Sequence, residues 1–305
     1  MIQHDDSGYQ DLFRGSARLG VLAASSKVPF LHATPLVEAF ASELNEYQEL
    51  SVDDNGYAIG LMTRGQGKGF TFRVARYMEE LAVDERELRR FLVRARHFEH
   101  RNLFFKVEIG SEGPREISYY FRRRPQLDVV RAWLADSGVD EHGWSRLAEC
   151  ARVLGKRTAH FLAASIRPGQ SPTQPLIDKV YFSQPVDDIA WQRMRNAATC
   201  WGVESEDWSP LAAHQSSLSP HIVFVSMAFC AGLPVPGVKL DFHQVSPDTV
   251  KSLTGNRTAT IERFERLRTL FEKQHYDYIG VRIGHGSPIA TRAYCYFSSS
   301  AKRSR

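Results

Sequence analysis

The chain has 305 residues, 43% of them hydrophobic and 24% charged, a composition that fits a folded soluble protein of two ordinary domains or one large closed one. Its formal net charge of +4 is too small to predict nucleic-acid binding, and no apolar run approaches the roughly 20 residues that span a bilayer. Four scattered cysteines (Cys150, Cys200, Cys230 and Cys295) form no CxxC pair, and MIQHDDSGYQDLF lacks a secretory leader's basic and apolar regions, so neither a zinc site nor a disulfide framework is indicated, secretion is not expected and a reducing cytoplasm is.

Residues 1–30 are weakly patterned, with a helix predicted through Asp11 to Ala24. Thr34-Pro35 opens the next helix, Thr as N-cap and Pro in the first turn, and Leu36, Phe40 and Leu44 share one face of it. YQELSV and YAIGLMTR follow as a hairpin joined by Asp53-Asp54-Asn55-Gly56. Helical pattern runs from Phe70 to about Phe98 with a break near Asp84, and then NLFFKVEIG pairs with REISYYFRRR across a Ser-Glu-Gly-Pro turn. A third helical stretch, Gln126 to Val153 with an interruption at Ser137-Gly138, precedes TAHFLAASI and LIDKVYF, which flank a loop from Arg167 to Pro175.

A helix from about Val186 to Trp201 and a polar connection lead to the fourth hairpin, HIVFVSMAFC and VKLDFHQV. Ser246-Pro247 starts the last helical region, and Arg257 to Lys273 feeds the fifth hairpin, Tyr276 to Phe297, around Gly-His-Gly-Ser-Pro. The hairpins recur about every 55 to 60 residues, each preceded by helix, which reads as five repeats. Ten antiparallel strands joined this way can close on themselves and remove every edge, with helices over the apolar faces.

Period-two alternation then gives an inward set, taking the more polar face of each strand. It comprises Tyr47, Glu49, Arg64, Ser118, Tyr120, Arg122, Lys179, Tyr181, His221, Lys239, Asp241, His243, Arg282, Arg292, Tyr294 and Tyr296. Such a lumen interleaves cations with phenols. Cations bind phosphate oxygens by charge-assisted hydrogen bonds, and phenol faces stabilise a cation through their quadrupoles.

Five pieces, ATPLVEAF, Glu49 followed by Arg64, DKVYF, YIGV and RAYCYF, recur in an order that resembles the ABBA prenyltransferases, over about residues 30 to 297. Within that family the chain is most similar to the branch that modifies cyanobactin-type ribosomal peptides. The resemblance implies an α+β fold, a ten-stranded antiparallel β-barrel with a polar lumen ringed by helices, built from five α-β-β-α repeats as one domain. Residues 1–30 would be an extension and 298–305 a tail.

It also implies dissociative alkylation of a peptide side chain by dimethylallyl or geranyl diphosphate. By position, Arg64, Arg122, Lys179, His221, Arg282 and Arg292 would hold diphosphate, His221 standing where relatives often carry Arg. Tyr120, Tyr181, Tyr294 and Tyr296 would shield the carbocation, Glu49 would take the acceptor's proton, and Tyr47, Asp241 and His243 would line the acceptor pocket. Mg²⁺ would at most accompany the diphosphate; no organic cofactor, nucleic acid or membrane partner is implied, and a monomer is expected.

Other motifs read as structural. Asp187-Asp188 and Asp53-Asp54 do not make the DDxxD of Mg²⁺-dependent isoprenyl synthases. Gly65 to Gly69 (GQGKG) follows no βαβ pattern and reads as a loop, and Arg123-Arg124 as a solvated strand end. Two rival functions share the barrel: alkylation of a small phenol or indole, and non-catalytic binding of an anionic lipid or peptide.

Overall fold

The computed structural model describes residues 33–56, 58–168, 176–187, 189–284 and 290–298. The helix predicted through Asp11 to Ala24, the centre of the last turn (285–289), most of the third hairpin's loop and the tail after 298 lie outside the described residues.

The five hairpins supply ten strands: β1 (Tyr47–Asp53), β2 (Ile59–Gly65), β3 (Leu103–Gly110), β4 (Gly113–Phe121), β5 (Phe161–Ile166), β6 (Ile177–Ser183), β7 (Ile222–Cys230), β8 (Val238–Val245), β9 (Tyr276–Ile283) and β10 (Ala290–Ser298). Each pairs antiparallel with its neighbours in sequence, and β1 also pairs with β10 from Tyr47 opposite Ser298 to Asp53 opposite Arg292. That last ladder closes a ten-stranded barrel in which no long strand keeps a free edge. A two-residue bridge, Leu233–Pro234, extends the β7–β8 connection.

Between hairpins run α1 (Thr34–Ala39), α2 (Ala41–Glu46), α3 (Gly67–Glu80), α4 (Glu85–His97), α5 (Leu127–Asp136), α6 (Glu141–Val153), α7 (Ala190–Cys200), α8 (Ser205–Ala212), α9 (Gln215–Leu218), α10 (Pro247–Leu253) and α11 (Thr258–Leu270). Their apolar faces cover the outward residues of the strands. Phe40, for example, packs edge-on to Phe70 and Tyr77 and tilted against Phe105 of β3. All four rings are buried, each contributing about 1.5–3 kcal/mol of apolar transfer.

Among the described residues, side chains cap the starts of α4, α6 and α10. The break read near Asp84 is its side chain capping α4 by accepting from the Arg86 amide at 2.9 Å, and Ser246 caps α10 through the Thr249 amide. Other expectations need correction. Thr34 lies inside α1 and Ala33 precedes it without a side-chain cap; Phe40 divides the predicted helix in two. GQGKG is not all loop, since α3 begins at Gly67. The polar connection after Trp201 contains α8 and α9, the first with Pro210 inside it. No helix among the described residues is long and apolar enough to cross a membrane.

One buried ion pair ties a helix to the barrel wall. Arg94 of α4 donates to Asp178 of β6 at 3.0 Å and to Tyr119 at 3.2 Å, and its guanidinium lies 3.7 Å from the Trp133 ring centroid. Trp133 also donates to Asp178, at 2.7 Å. Removing one partner strands a buried charge, whereas removing both does not. Arg94→Leu should therefore lower stability by about 3–5 kcal/mol, and adding Asp178→Leu should restore part of it. Guanidinium unfolding followed by circular dichroism measures both; an Arg94→Leu midpoint equal to wild type would refute the assignment.

Candidate active site

The lumen divides into two connected chambers. A cavity of about 310 Å³ lies toward the hairpin-turn ends of the strands, and one of about 140 Å³ toward the ends that lead into helices. Lys106, Tyr120, Tyr181, Lys239 and Tyr294 border both.

The turn-end chamber is charged. Five cations (Lys106, Lys179, Lys239, Arg282 and Arg292) and four carboxylates (Asp53, Asp54, Glu108 and Glu116) line it. Closure forces pairing: Lys106 donates to Glu108 at 3.0 Å, Arg292 also engages Glu108, and Lys179 lies 3.4 Å from Glu116. Burial alone would raise the two glutamates, but Lys106 and Arg292 around Glu108, and Lys179 beside Glu116, hold both below the usual carboxylate range. Asp54 is held from outside the chamber by Arg257 at 3.0 Å. Arg282 makes no ion pair among the described residues.

Space for the long lysines is left by glycine. A Cβ on Gly280 would come 2.7 Å from the Lys239 Cε and 3.0 Å from the Asp241 Oδ1, and one on Gly60 would come 2.5 Å from the Lys106 Cε. The lysine ammoniums then reach the boundary between chambers, 5.6 Å (Lys106) and 5.1 Å (Lys239) from the Tyr294 ring centroid. Tyr120 and Tyr181, 6.1 Å apart by centroid, complete a collar of phenols. Burial pushes the Tyr120 and Tyr181 hydroxyls up, so they stay neutral.

The helix-end chamber is aromatic around two carboxyl groups, Glu49 and Asp241. Tyr47, Phe104, Phe161, Phe224 and Tyr278 surround it, with Met62 at one side. Glu49 is 6% exposed and accepts a hydrogen bond from the Tyr47 hydroxyl at 3.1 Å. Burial raises its pKa to about 7 despite the opposing pull of Lys106, the Tyr47 hydrogen bond and Lys239. A carboxyl group poised there exchanges a proton near neutrality, as a general base must. Asp241 lines the same chamber and holds Lys239 at 2.5 Å.

The barrel thus separates residues that the sequence reading grouped. Lys179, Arg282 and Arg292 share the turn-end chamber, but Arg64 ends β2 and Arg122 follows β4 at the opposite, helix end. There they line a hollow of about 380 Å³ with Phe104, Asn102, Arg123 and Arg124. His221 is not on β7 at all; Ser219-Pro220-His221 forms a 3₁₀ turn, and its Nδ1 lies 2.9 Å from the His243 carbonyl oxygen. A single site of six cations is therefore corrected to two groups of cations, with His221 in neither.

Of the four expected shield tyrosines, Tyr120, Tyr181 and Tyr294 meet at the collar. Tyr296 instead stacks between Tyr47 and Tyr278, at centroid distances of 5.8 and 6.2 Å. His243 contacts the Tyr278 ring at 5.0 Å. Sequence reading missed Lys106, Glu108 and Glu116, although Lys106 and Glu108 alternate with Phe105 and Val107 and so carried the period-two signal. Phe104, Phe161, Phe224 and Tyr278 carried none, because aromatic residues are favoured on either face of a strand.

No protein-family model and no curated protein matches the chain at the sequence level. Solved structures do. The 5-dimethylallyltryptophan synthase from Streptomyces coelicolor aligns with a TM-score of 0.67 at 12% identity, covering 96% of this chain and 98% of that one. The 6-dimethylallyltryptophan synthase from Micromonospora olivasterospora, in complex with DMASPP and Trp, aligns with a TM-score of 0.65 at 13% identity, covering 95% and 97%. PriB in binary complex with product diphosphate gives 0.65 at 14% identity, covering 95% and 96%. The fold is that of the ABBA prenyltransferase barrel, as the sequence resemblance implied.

The Glu49 environment makes a direct prediction. Carbon-13 NMR of labelled glutamate should find one carboxyl group titrating near 7, lost in Glu49→Gln. Tyr47→Phe removes a hydrogen bond to the charged form, so the midpoint should rise further. A midpoint at about 4.3, the ordinary value, would overturn this picture of the chamber.

Proposed function

We propose that this chain transfers a dimethylallyl group from its diphosphate to an electron-rich aromatic acceptor. The observation that carries the reading is the order of groups along one lumen: cations, a neutral phenol collar, then a buried carboxyl group among aromatic rings. That two of the aligned solved structures are dimethylallyltryptophan synthases, one bound to DMASPP and Trp, supports it.

In this reading the diphosphate occupies the turn-end chamber. The allylic C–O bond breaks, and both its electrons leave with the diphosphate, whose charge is met by Lys179, Lys239, Arg282 and Arg292. These groups need no reorganisation beyond exchanging Glu116, Asp241 and Glu108 for phosphate oxygens. The cation crosses the collar of Tyr120, Tyr181 and Tyr294, whose faces stabilise it and keep water away. An acceptor ring in the helix-end chamber attacks, forming the new bond, and its proton passes to the Glu49 carboxylate. Among the described residues no three His, Cys, Asp or Glu side chains converge to hold a metal ion.

A chamber of about 140 Å³ suits one aromatic group, which favours a free indole or phenol. A peptide acceptor of the cyanobactin type is the second reading, favoured by the continuity of this chamber with the 380 Å³ hollow through Phe104 and Arg122. Dimethylallyl or geranyl diphosphate incubated with indoles, phenols and cyclic peptides bearing Trp or Tyr, and followed by mass spectrometry, tests both. Donor binding with no isoprenoid product on any acceptor would leave only the binding-protein alternative.

Three outcomes are expected of the enzyme. As pH rises through about 7, Glu49 loses its proton and kcat/KM should climb to a plateau. Glu49→Gln should abolish that limb and lower kcat by roughly 10²–10⁴-fold, with donor affinity little changed. Lys179→Met should weaken donor binding, whereas Glu116→Gln, which removes a competing carboxylate, should strengthen it. Calorimetry with the unreactive thiolodiphosphate analogue reads both; weaker binding in Glu116→Gln would move the donor elsewhere.

A further inference from the structure

Two carboxylates face each other in the turn-end chamber, and the reaction as written uses them only as resting partners for its cations. Glu108 of β3 and Glu116 of β4 stand directly opposite in the ladder, and both line the cavity. Residues so placed have Cβ atoms about 4.5–5.5 Å apart, close enough for like charges to repel. Glu108 is held by Lys106 at 3.0 Å and by Arg292, whose Nη2 donates to it at 3.3 Å. Glu116 is held by Lys179 at 3.4 Å, and Ser118 donates to it at 3.2 Å, a bond that remains when Lys179 turns away.

Cations keep this pair ionised. Burial raises both groups, and Glu108 raises Glu116 further. Lys106 and Arg292 at Glu108, and Lys179 and Lys106 at Glu116, outweigh that and hold both below the usual range. Asp53 and Asp54 border the same cavity from the end of β1, and Asp53 lies 3.8 Å from Arg292, competing for it. The remaining charged or titratable groups around it are Tyr120 on β4, Tyr181 on β6, Lys239 on β8, Arg282 on β9 and Tyr294 on β10. A diphosphate that takes Lys179 and Arg292 for its own oxygens also brings negative charge. The two glutamates then lose what let both ionise, and facing carboxylates in that position share a proton.

We propose that Glu108 and Glu116 are a proton-holding pair for the donor: as the diphosphate enters, one proton from solvent joins a glutamate oxygen. A competing anion thereby becomes a hydrogen-bond donor to phosphate. The proton returns to solvent when the diphosphate leaves and the cations come back to the pair. This rests on the turn-end chamber being the donor site.

Calorimetry with the thiolodiphosphate analogue, in buffers of different ionisation heat, counts the protons taken up per ligand bound. Near pH 8 the ligand is itself fully ionised, since a phosphate's second ionisation lies at about pH 6. About one proton should be taken up, and affinity should fall about tenfold per pH unit there, the linkage slope of a single proton. Glu116→Gln, whose amide mimics the neutral acid, should lose most of the uptake and the slope, and Glu108→Gln provides a second variant with the same expectation. Glu49→Gln and Asp53→Asn should keep both. Heat that does not vary with buffer in wild type would overturn the proposal. So would uptake that survives both glutamine variants of the pair, or that vanishes in Glu49→Gln or Asp53→Asn, because another carboxyl group then holds the proton. Binding without uptake removes the pair's role and leaves the donor site standing, whereas no binding at all removes the donor site as well. The assay needs no turnover, so it reads the pair whichever acceptor the chain uses.

Discussion

The ladder between β1 and β10 turns a sheet into a cylinder, and the lumen's chemistry depends on that closure. Once the wall is shut, an inward side chain can reach only other inward side chains. Burying a charge without a partner costs several kcal/mol, so the lumen's lysines and Arg292 find Glu108, Glu116 and Asp241. Lys106 with Glu108, Lys179 with Glu116 and Lys239 with Asp241 each neutralise within the barrel. These pairs keep a resting chamber stable while leaving groups that an incoming anion can recruit. Outside the wall the same rule operates where Arg94 and Asp178 hold α4 to β6 beneath Trp133.

Along the axis the barrel sorts charge by kind. Cations that share carboxylates lie toward the turns, neutral phenols at the waist, and Glu49 among aromatic rings beyond them. Arginines without acidic partners among the described residues stand at the far mouth. In the proposed reaction this polarity would put the anionic leaving group and the proton on opposite sides of the phenol collar. Lys106 and Lys239 touch both sides, which is why they act on Glu49 from the chamber next door.

Much of this was legible before any coordinates. Five hairpins at regular spacing implied a closed barrel, and alternation assigned inward faces correctly for Glu49, Lys179, Tyr181 and Tyr294. Position along the axis was not legible. Arg64 and Lys179 have the same parity, but parity says nothing about which end of a tilted strand a residue occupies, so two groups of cations read as one. His221 was misjudged because Ser219-Pro220 bends the chain into a 3₁₀ turn just before β7 begins. The helices after Trp201 escaped notice because Pro210 and a polar surface hide their period.

Gly60 and Gly280 set the calibre of the tube by contributing no atoms to it. Strand number and stagger fix the circumference, but the free bore depends on which inward positions are empty. A family of barrels can therefore widen or narrow its passage without altering a single strand or helix. For redesign, these two sites are the dials: filling either displaces a lysine head group, and emptying a neighbouring position would admit a bulkier guest.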